Sequence, residues 1–267
     1  MSTPGRKIVA IGGGENGRIH SSGEREPYEL YEIDREIVRL TGREKPRFLM
    51  LAHAQIGFDR ENERRYFDTM RRIYGDRFGC ECRWLKISDL RAQPEKAREY
   101  AAWADIIYEG GGNTVAMIGL WRETGFDSVL KGAWEAGKVM CGVSAGAICW
   151  FASGNTDTPG YEDRAVNETP GLGFVDAYLS PHCEAGWKRA SEIRSLRHIP
   201  RVGLSVSGCS AIEIVDDGYR VLKSTPADSA FRPYVLRTFW RDGTLFEEEL
   251  AKSAEFRPLE RLLAMEK

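Results

Sequence analysis

The sequence predicts an α/β protein: a mostly parallel sheet flanked by helices in three layers, with antiparallel strands added toward the C-terminus. Three observations carry this. Short apolar runs that end in glycine clusters alternate with amphipathic stretches over most of the chain. The connections between them are short, as strand–helix–strand crossovers require. The last third instead alternates apolar and polar residues around an Asp-Gly pair.

Taken in order, Lys7 to Ile11 (KIVAI) reads as a first strand ending in Gly12, Gly13 and Gly14. Leu30, Ile33, Ile37 and Leu40 recur at helical spacing, and Gly42 offers a stop. Phe48 to Leu51 is the next buried strand. Tyr66, Phe67, Met70, Ile73 and Tyr74 form a helical stripe closed by Gly75, and Trp84 to Ile87 reads as a strand. Asp105 to Tyr108 is a strand entering the turn Gly110-Gly111-Gly112-Asn113-Thr114. A helix follows through Trp121, and another carries Phe126, Val129, Leu130 and Ala133. Lys138 to Val143 is a strand, and Ser144 opens the helix after it. Phe174 to Leu179 is a further apolar run. Ala211 to Val215 and Tyr219 to Lys223 form a hairpin across Asp216, Asp217 and Gly218. No repeat, low-complexity tract or linker divides the chain, so a single domain over 1–267 is expected.

Composition narrows the function classes. Lys plus Arg total 38 against 40 Asp plus Glu, a net charge of -2, without the basic excess of a protein that lives on phosphate contacts. No stretch approaches the ~18 apolar residues of a membrane span. The polar start, Met1 to Lys7, lacks a secretory pattern. Six cysteines without C-x-x-C pairs argue against a zinc ribbon or disulfide framework, and Cys80 and Cys82 fit an alternating strand pattern. A reduced, cytoplasmic enzyme is expected, with neither nucleic-acid nor membrane partners.

The strongest local signal is Gly142-Val143-Ser144-Ala145-Gly146-Ala147. It reads G-x-S-x-G between an apolar strand and a helix-compatible run, the context of a nucleophile elbow. Small residues leave room for a tight turn that lifts Ser144 Oγ, with backbone N–H groups aimed at an oxyanion. The bland reading makes Ser144 a helix N-cap. Of the four histidines, His182 in Ser180-Pro181-His182-Cys183-Glu184 sits at a strand end, where active-site residues of open α/β sheets gather. His198 falls in an Arg-rich stretch, His20 in a polar loop, and His53 after a strand, where cleft and plain loop are equal readings. His182 is the preferred base. Asp157, in Asn155-Thr156-Asp157-Thr158-Pro159, is the candidate acid, with an Asx-turn as its bland reading and Glu162, Asp163 and Glu168 as competitors. The glycine loop 110–114 suits an oxyanion hole or carboxylate cradle, or a helix start capped by Asn113. Gly12, Gly14 and Gly17 formally satisfy G-x-G-x-x-G, but Arg18 to Arg25 is polar and irregular, and Glu32 and Asp34 fall in a helical stripe. A dinucleotide fold is therefore not expected.

With GGGNT at 110–114, GVSAGA at 142–147, TDTP at 156–159 and SPH at 180–182, the chain resembles the serine peptidase family of aspartyl dipeptidase (peptidase E) and cyanophycinase. The resemblance covers roughly Lys7 to Val215. It implies a flavodoxin-like, class I glutamine amidotransferase-like fold, with Ser144 as nucleophile, His182 as base and Asp157 as acid; the cyanophycinase branch would use Glu162 instead. It further implies an oxyanion hole at Gly112 and Ala145, substrate contacts at Gly111 and Asn113, and Arg189 pairing with an acidic substrate residue. The stretch between Ser144 and Asp157 is shorter than in the dipeptidases, and Phe231 to Lys267 has no placed counterpart.

The expected function is a serine exopeptidase acting on small peptides by acyl transfer, with neither metal nor organic cofactor. The alternatives are an amidase-type hydrolase, which would usually carry Cys at the elbow, and a non-catalytic ligand-binding or regulatory domain on the same scaffold. The expected partner is a small peptide substrate, with a homodimer left open as the assembly.

Overall fold

The computed structural model describes residues 5–20, 22–156, 168–184 and 199–266. Five parallel strands form its centre: β1 (Lys7–Ile11), β2 (Arg47–Met50), β3 (Glu81–Trp84), β4 (Ile106–Glu109) and β5 (Val139–Val143), in spatial order β3-β2-β4-β5-β1. The chain then builds a second sheet from β6 (Phe151–Gly154), β7 (Thr169–Pro170), β8 (Val175–Pro181) and β9 (Gly203–Val206). It returns to the first sheet with β10 (Ser210–Val215) and β11 (Gly218–Lys223), antiparallel beyond β1. β12 (Val235–Arg241) and β13 (Thr244–Glu249) extend the second sheet, and β14 (Arg257–Pro258) closes the edge of the first.

Period-two alternation splits the first sheet's side chains between two cores. Val9, Ile11, Phe48, Met50, Ile106 and Tyr108 meet Ile33 and Ile37 of α1 (Tyr31–Arg39) and Tyr66 and Met70 of α2 (Arg60–Met70). Ile8, Ala10, Leu49, Ile107 and Met140 face the other way, toward α3 (Ile87–Ala92), α4 (Pro94–Trp103), α5 (Thr114–Thr124) and α6 (Phe126–Glu135). That second core also takes in Leu179, Leu204, Val206, Val235 and Phe239, so it runs continuously into the second sheet.

The α/β class and the antiparallel C-terminal strands match the sequence reading, but the second sheet was not foreseen. The run Phe174 to Leu179, read as part of one sheet, falls almost wholly in β8 of this second sheet, with Phe174 just ahead of the strand. Trp84 ends β3 and Ile87 opens α3, so the expected strand 84–87 is a strand end and a helix start. The hairpin at 216–218 turns on Asp216 and Asp217, with φ 50° at Asp216, while Gly218 already pairs with Val215. A second hairpin, missed in the C-terminal segment, turns on Asp242 (φ 50°) and Gly243 (φ 73°). Two consecutive positive φ values are what an Asp-Gly turn of type I′ uses.

The run Gly12–Gly14 opens no helix: the first helix starts at Tyr31. A Cβ on Gly12 would lie 2.3 Å from both Val206 O and Ser207 O, so the end of β1 touches the second sheet backbone to backbone. Gly119, inside α5, has nothing within 4 Å of its Cβ position. Gly12→Ala should therefore lower stability by roughly 1–3 kcal/mol through overpacking. Gly119→Ala should raise it by about 0.5–1 kcal/mol, because alanine orders a helix at lower entropic cost. Urea denaturation of the two variants measures both signs.

Candidate active site

The end of β1 organises the site. The Ser144 N–H donates to Ile11 O (3.2 Å), the His182 N–H to Gly12 O (3.0 Å), and the Cys209 N–H to Gly13 O (3.0 Å). Three successive carbonyls thus hold three segments, and the first two carry the predicted nucleophile and base. Ser144 follows β5 in the first sheet; His182 follows β8 in the second. The correction to the sequence reading is that His182 stands at the end of a strand of the second sheet.

Ser144 sits on a sharp turn (φ 59°, ψ −116°) between β5 and the four-residue helix α7 (Ala145–Ile148). Such backbone is costly for a non-glycine residue, of order 1–3 kcal/mol. The two flanking glycines are steric necessities: a Cβ on Gly142 would lie 2.4 Å from Glu109 O, and one on Gly146 would lie 2.2 Å from it. His182 also has positive φ, 55°. A Cβ on Gly13 would lie 2.6 Å from its Nδ1, so the glycine run that formally matches a nucleotide motif makes space for the imidazole.

A cavity of about 630 Å³ holds Ser144, His182 and Gly111 in its wall. A Cβ on Gly111 would lie 3.3 Å from Ser144 Cβ and 3.7 Å from its Oγ. The Gly112 N–H has no acceptor among the described residues, and Ala145, first in its helix, has no intrahelical one. Asn113 caps α5, accepting the Ala116 N–H at 2.9 Å, and is not among the residues lining the cavity. Asp157, Glu162, Asp163, Arg189 and His198 lie outside the described residues. Thr156, next to Asp157, is buried against Thr114 (Oγ1 to Oγ1 3.2 Å), and Asn155 N–H donates to Leu179 O (3.0 Å). The segment leading to Asp157 therefore departs between the glycine loop and the strand that leads to His182. Glu168 is engaged by Ser153 and Arg201.

His53 is interior. Its Nδ1 accepts from Trp121 Nε1 (2.9 Å), Nε2 faces Leu85 O (2.9 Å), and burial pushes its pKa down to about 3. His20 is exposed and pairs with Glu26 (2.8 Å). Cys209 lines the cavity, but burial holds its thiol up at about 12, so it offers no thiolate. Among the described residues, no group of three His, Cys, Asp or Glu is placed to hold a metal ion. None of their helices is long and apolar enough to cross a membrane.

Several site residues escaped the sequence reading. Glu15, Glu29, Glu184 and Asp228 line the cavity against one described cation, Arg18. Their positions come from loops that converge only in three dimensions. Glu109, left unassigned between the expected strand and the glycine turn, is fully buried at the end of β4, and its carboxyl group accepts the N–H groups of His53, Ala54 and Gly110 at 3.2, 3.2 and 2.9 Å. Ala54 O in turn accepts the Asn113 N–H (2.7 Å) and would lie 2.2 Å from a Cβ on Gly112, while Gln55 Nε2 donates to Gly111 O (2.6 Å). Glu109 thus fixes the turn at 53–55, which fixes the glycine loop.

Comparison with known proteins identifies the family and the fold. Residues 18–222 match the model of peptidase family S51. The uncharacterized peptidase YgaJ of Bacillus subtilis (strain 168) is 32% identical over 177 residues, spanning 66% of this chain and 68% of that protein. The chain belongs to peptidase family S51. The fold is shared with a crystal structure of a peptidase from an acI-B1 Actinobacterium (TM-score 0.70, 20% identity, 97% and 98% of the two chains). It is also shared with a Listeria monocytogenes EGD-e protein assigned as a peptidase E (TM-score 0.60, 15% identity, 82% and 98%).

Burial lifts the Glu109 carboxyl from 4.5 to about 8, outweighing the three N–H donors that pull it down, and Glu63 adds to the rise. The folded state therefore holds a proton that the unfolded chain releases near 4.5. This contribution to stability is complete below pH 4.5 and is lost as pH rises through about 8. Glu109→Gln should flatten that limb. Chemical denaturation of wild type and variant from pH 5 to 9 measures the difference; parallel curves would mean Glu109 stays ionised.

Proposed function

We propose that the chain is a serine exopeptidase hydrolysing short peptides by acyl transfer. One observation carries this: Ser144, held in a strained turn at a strand end, and His182 face one cavity while tied to the adjacent carbonyls of Ile11 and Gly12 where β1 ends. That turn has the form of a nucleophile elbow. In this reading Ser144 Oγ attacks the scissile carbonyl as His182 takes its proton. The N–H groups of Gly112 and Ala145 receive the oxyanion. His182 returns the proton to the leaving amine, and water then releases the acyl group. Asp157 is the proposed orienting acid, supported by the anchoring of Asn155 and Thr156 beside the strand that leads to His182.

The cavity wall supports the exopeptidase reading. Glu15, Glu29, Glu184 and Asp228 present acceptors to a cationic group, which a free peptide amino terminus supplies. Glu29 is held by the N–H groups of Glu15 (2.8 Å) and Ala227 (2.7 Å), and Gly208 N–H donates to Glu184, so two of these carboxylates are fixed by backbone. Arg189, through bidentate pairing, is the proposed partner of an acidic first side chain. An Asp-initiated dipeptide offers both groups.

Ser144→Ala and His182→Ala should each remove nearly all turnover, and the double variant should be no worse than either single, because nucleophile and base act as a unit. Asp157→Asn should cost up to ~10⁴ in rate and far exceed Glu162→Gln. Labelling of Ser144 by a fluorophosphonate, together with these rates, decides; additive losses would move the base elsewhere, and an unlabelled protein would be a binding domain.

The kcat/KM ratio for Asp-Ala over Ala-Ala should fall about thirty-fold in Arg189→Ala, the ~2 kcal/mol of a desolvated charged contact. A ratio near one in wild type would remove the acidic preference.

A further inference from the structure

We propose that the Tyr66 hydroxyl is a further catalytic donor of this site, hydrogen-bonding the carbonyl oxygen of the scissile bond alongside the N–H groups of Gly112 and Ala145. This rests on the serine-peptidase reading above. Tyr66 lies on α2, away in sequence from every peptidase motif, yet its ring is built into the glycine loop. A Cβ on Gly110 would lie 2.3 Å from its Cε1, 2.7 Å from Cζ and 2.9 Å from the hydroxyl oxygen, so the loop carries glycine where the phenol lies. The next residue, Gly111, donates its N–H to that oxygen at 3.2 Å and on its other side abuts Ser144.

Hydrogen-bond accounting completes the argument. A tyrosine hydroxyl has one proton to give and two lone pairs to accept with. The Gly111 N–H uses a lone pair, which orients the phenol and removes that N–H from the oxyanion hole. The proton has no acceptor among the described residues, although Tyr66 is only 8% exposed. Tyr66 lines the same cavity as Ser144 and His182, so a substrate carbonyl entering there supplies the missing acceptor. Burial raises the phenol to about 12; Arg18 over the ring opposes this and Glu109 and Asp34 add to it, with Tyr108 packed nearby. The proton thus stays on the oxygen at ordinary pH. It is shared in the transition state and not transferred.

Two variants test this with wild type as reference. Tyr66→Phe keeps the ring against Gly110 and removes the donor; kcat should fall roughly 10²-fold, as for loss of one oxyanion donor, with KM unchanged. Replacing Tyr66 with 3,5-difluorotyrosine keeps ring, hydroxyl and the Gly111 bond but lowers the phenol's pKa. Its kcat should fall along an alkaline limb absent from wild type, because the phenolate accepts from Gly111 and has no proton to give. That limb is read relative to wild type, where Glu109 titrates equally. Wild-type kcat in Tyr66→Phe, a loss confined to KM, or an unshifted pH profile in the fluorinated protein overturns the proposal. Should Tyr66→Phe fail to fold, the fluorinated protein decides alone. Fluorophosphonate labelling of Ser144 separates the two levels: no labelling in wild type ends the peptidase reading and this one with it, whereas equal labelling rates in wild type and Tyr66→Phe end only the role of the tyrosine.

Discussion

The backbone hydrogen bonds at the end of β1 are the constraint on which the rest of the site depends. Ser144 and His182 come from different sheets, and among the described residues no ladder pairing joins those sheets. What registers them is one strand end, where Ile11 O and Gly12 O accept their two N–H groups. Gly12 and Gly13 make this contact feasible, because any side chain there would strike Val206 and Ser207 backbone or the His182 ring. Both Ser144 and His182 have positive φ, and these bonds, formed in a buried setting, help offset that strain.

A second layer of support stands behind the glycine loop. The Glu109 carboxyl holds the 53–55 turn, and its own carbonyl packs between the glycines of the Ser144 turn. One residue therefore braces both the Ser144 turn and the loop opposite it. Tyr66 clamps the same loop from α2. Glu109 is enclosed by core and Tyr66 stands at the cavity wall with little exposure, so the hydrogen bonds they make to the loop have few competitors and hold its geometry tightly.

Much of this was legible in the sequence. The strands flanking GGGNT, GVSAGA and SPH are apolar runs, and their motifs lie at strand ends as such patterns predict. The strand exits toward Ser144 and His182 could be read because glycine and proline mark them. The second sheet could not, since its strands β6 and β7 span four and two residues, and its pairing joins segments distant in sequence. The Asp242-Gly243 turn was a usable signal for β12 and β13 that went unread. The roles of Glu109 and Tyr66 had no local signature. Each looks like an ordinary member of its element, and its function arises from which loop the fold lays against it.

The terminus of β1 also acts as a two-sided gauge. Successive carbonyls of a strand point to opposite sides, so Ile11 O faces the Ser144 segment and Gly12 O the His182 segment. Adding or deleting one residue there would exchange the sides and separate the pair, even with every site residue retained. The excursion between Asn16 and Tyr28 is tied back on itself by the isolated bridges Asn16 to Tyr28 and Ile19 to Arg25, and its described residues join neither sheet's ladder. Length variation within the family should accumulate in that excursion and stop abruptly at Ile11 to Gly13.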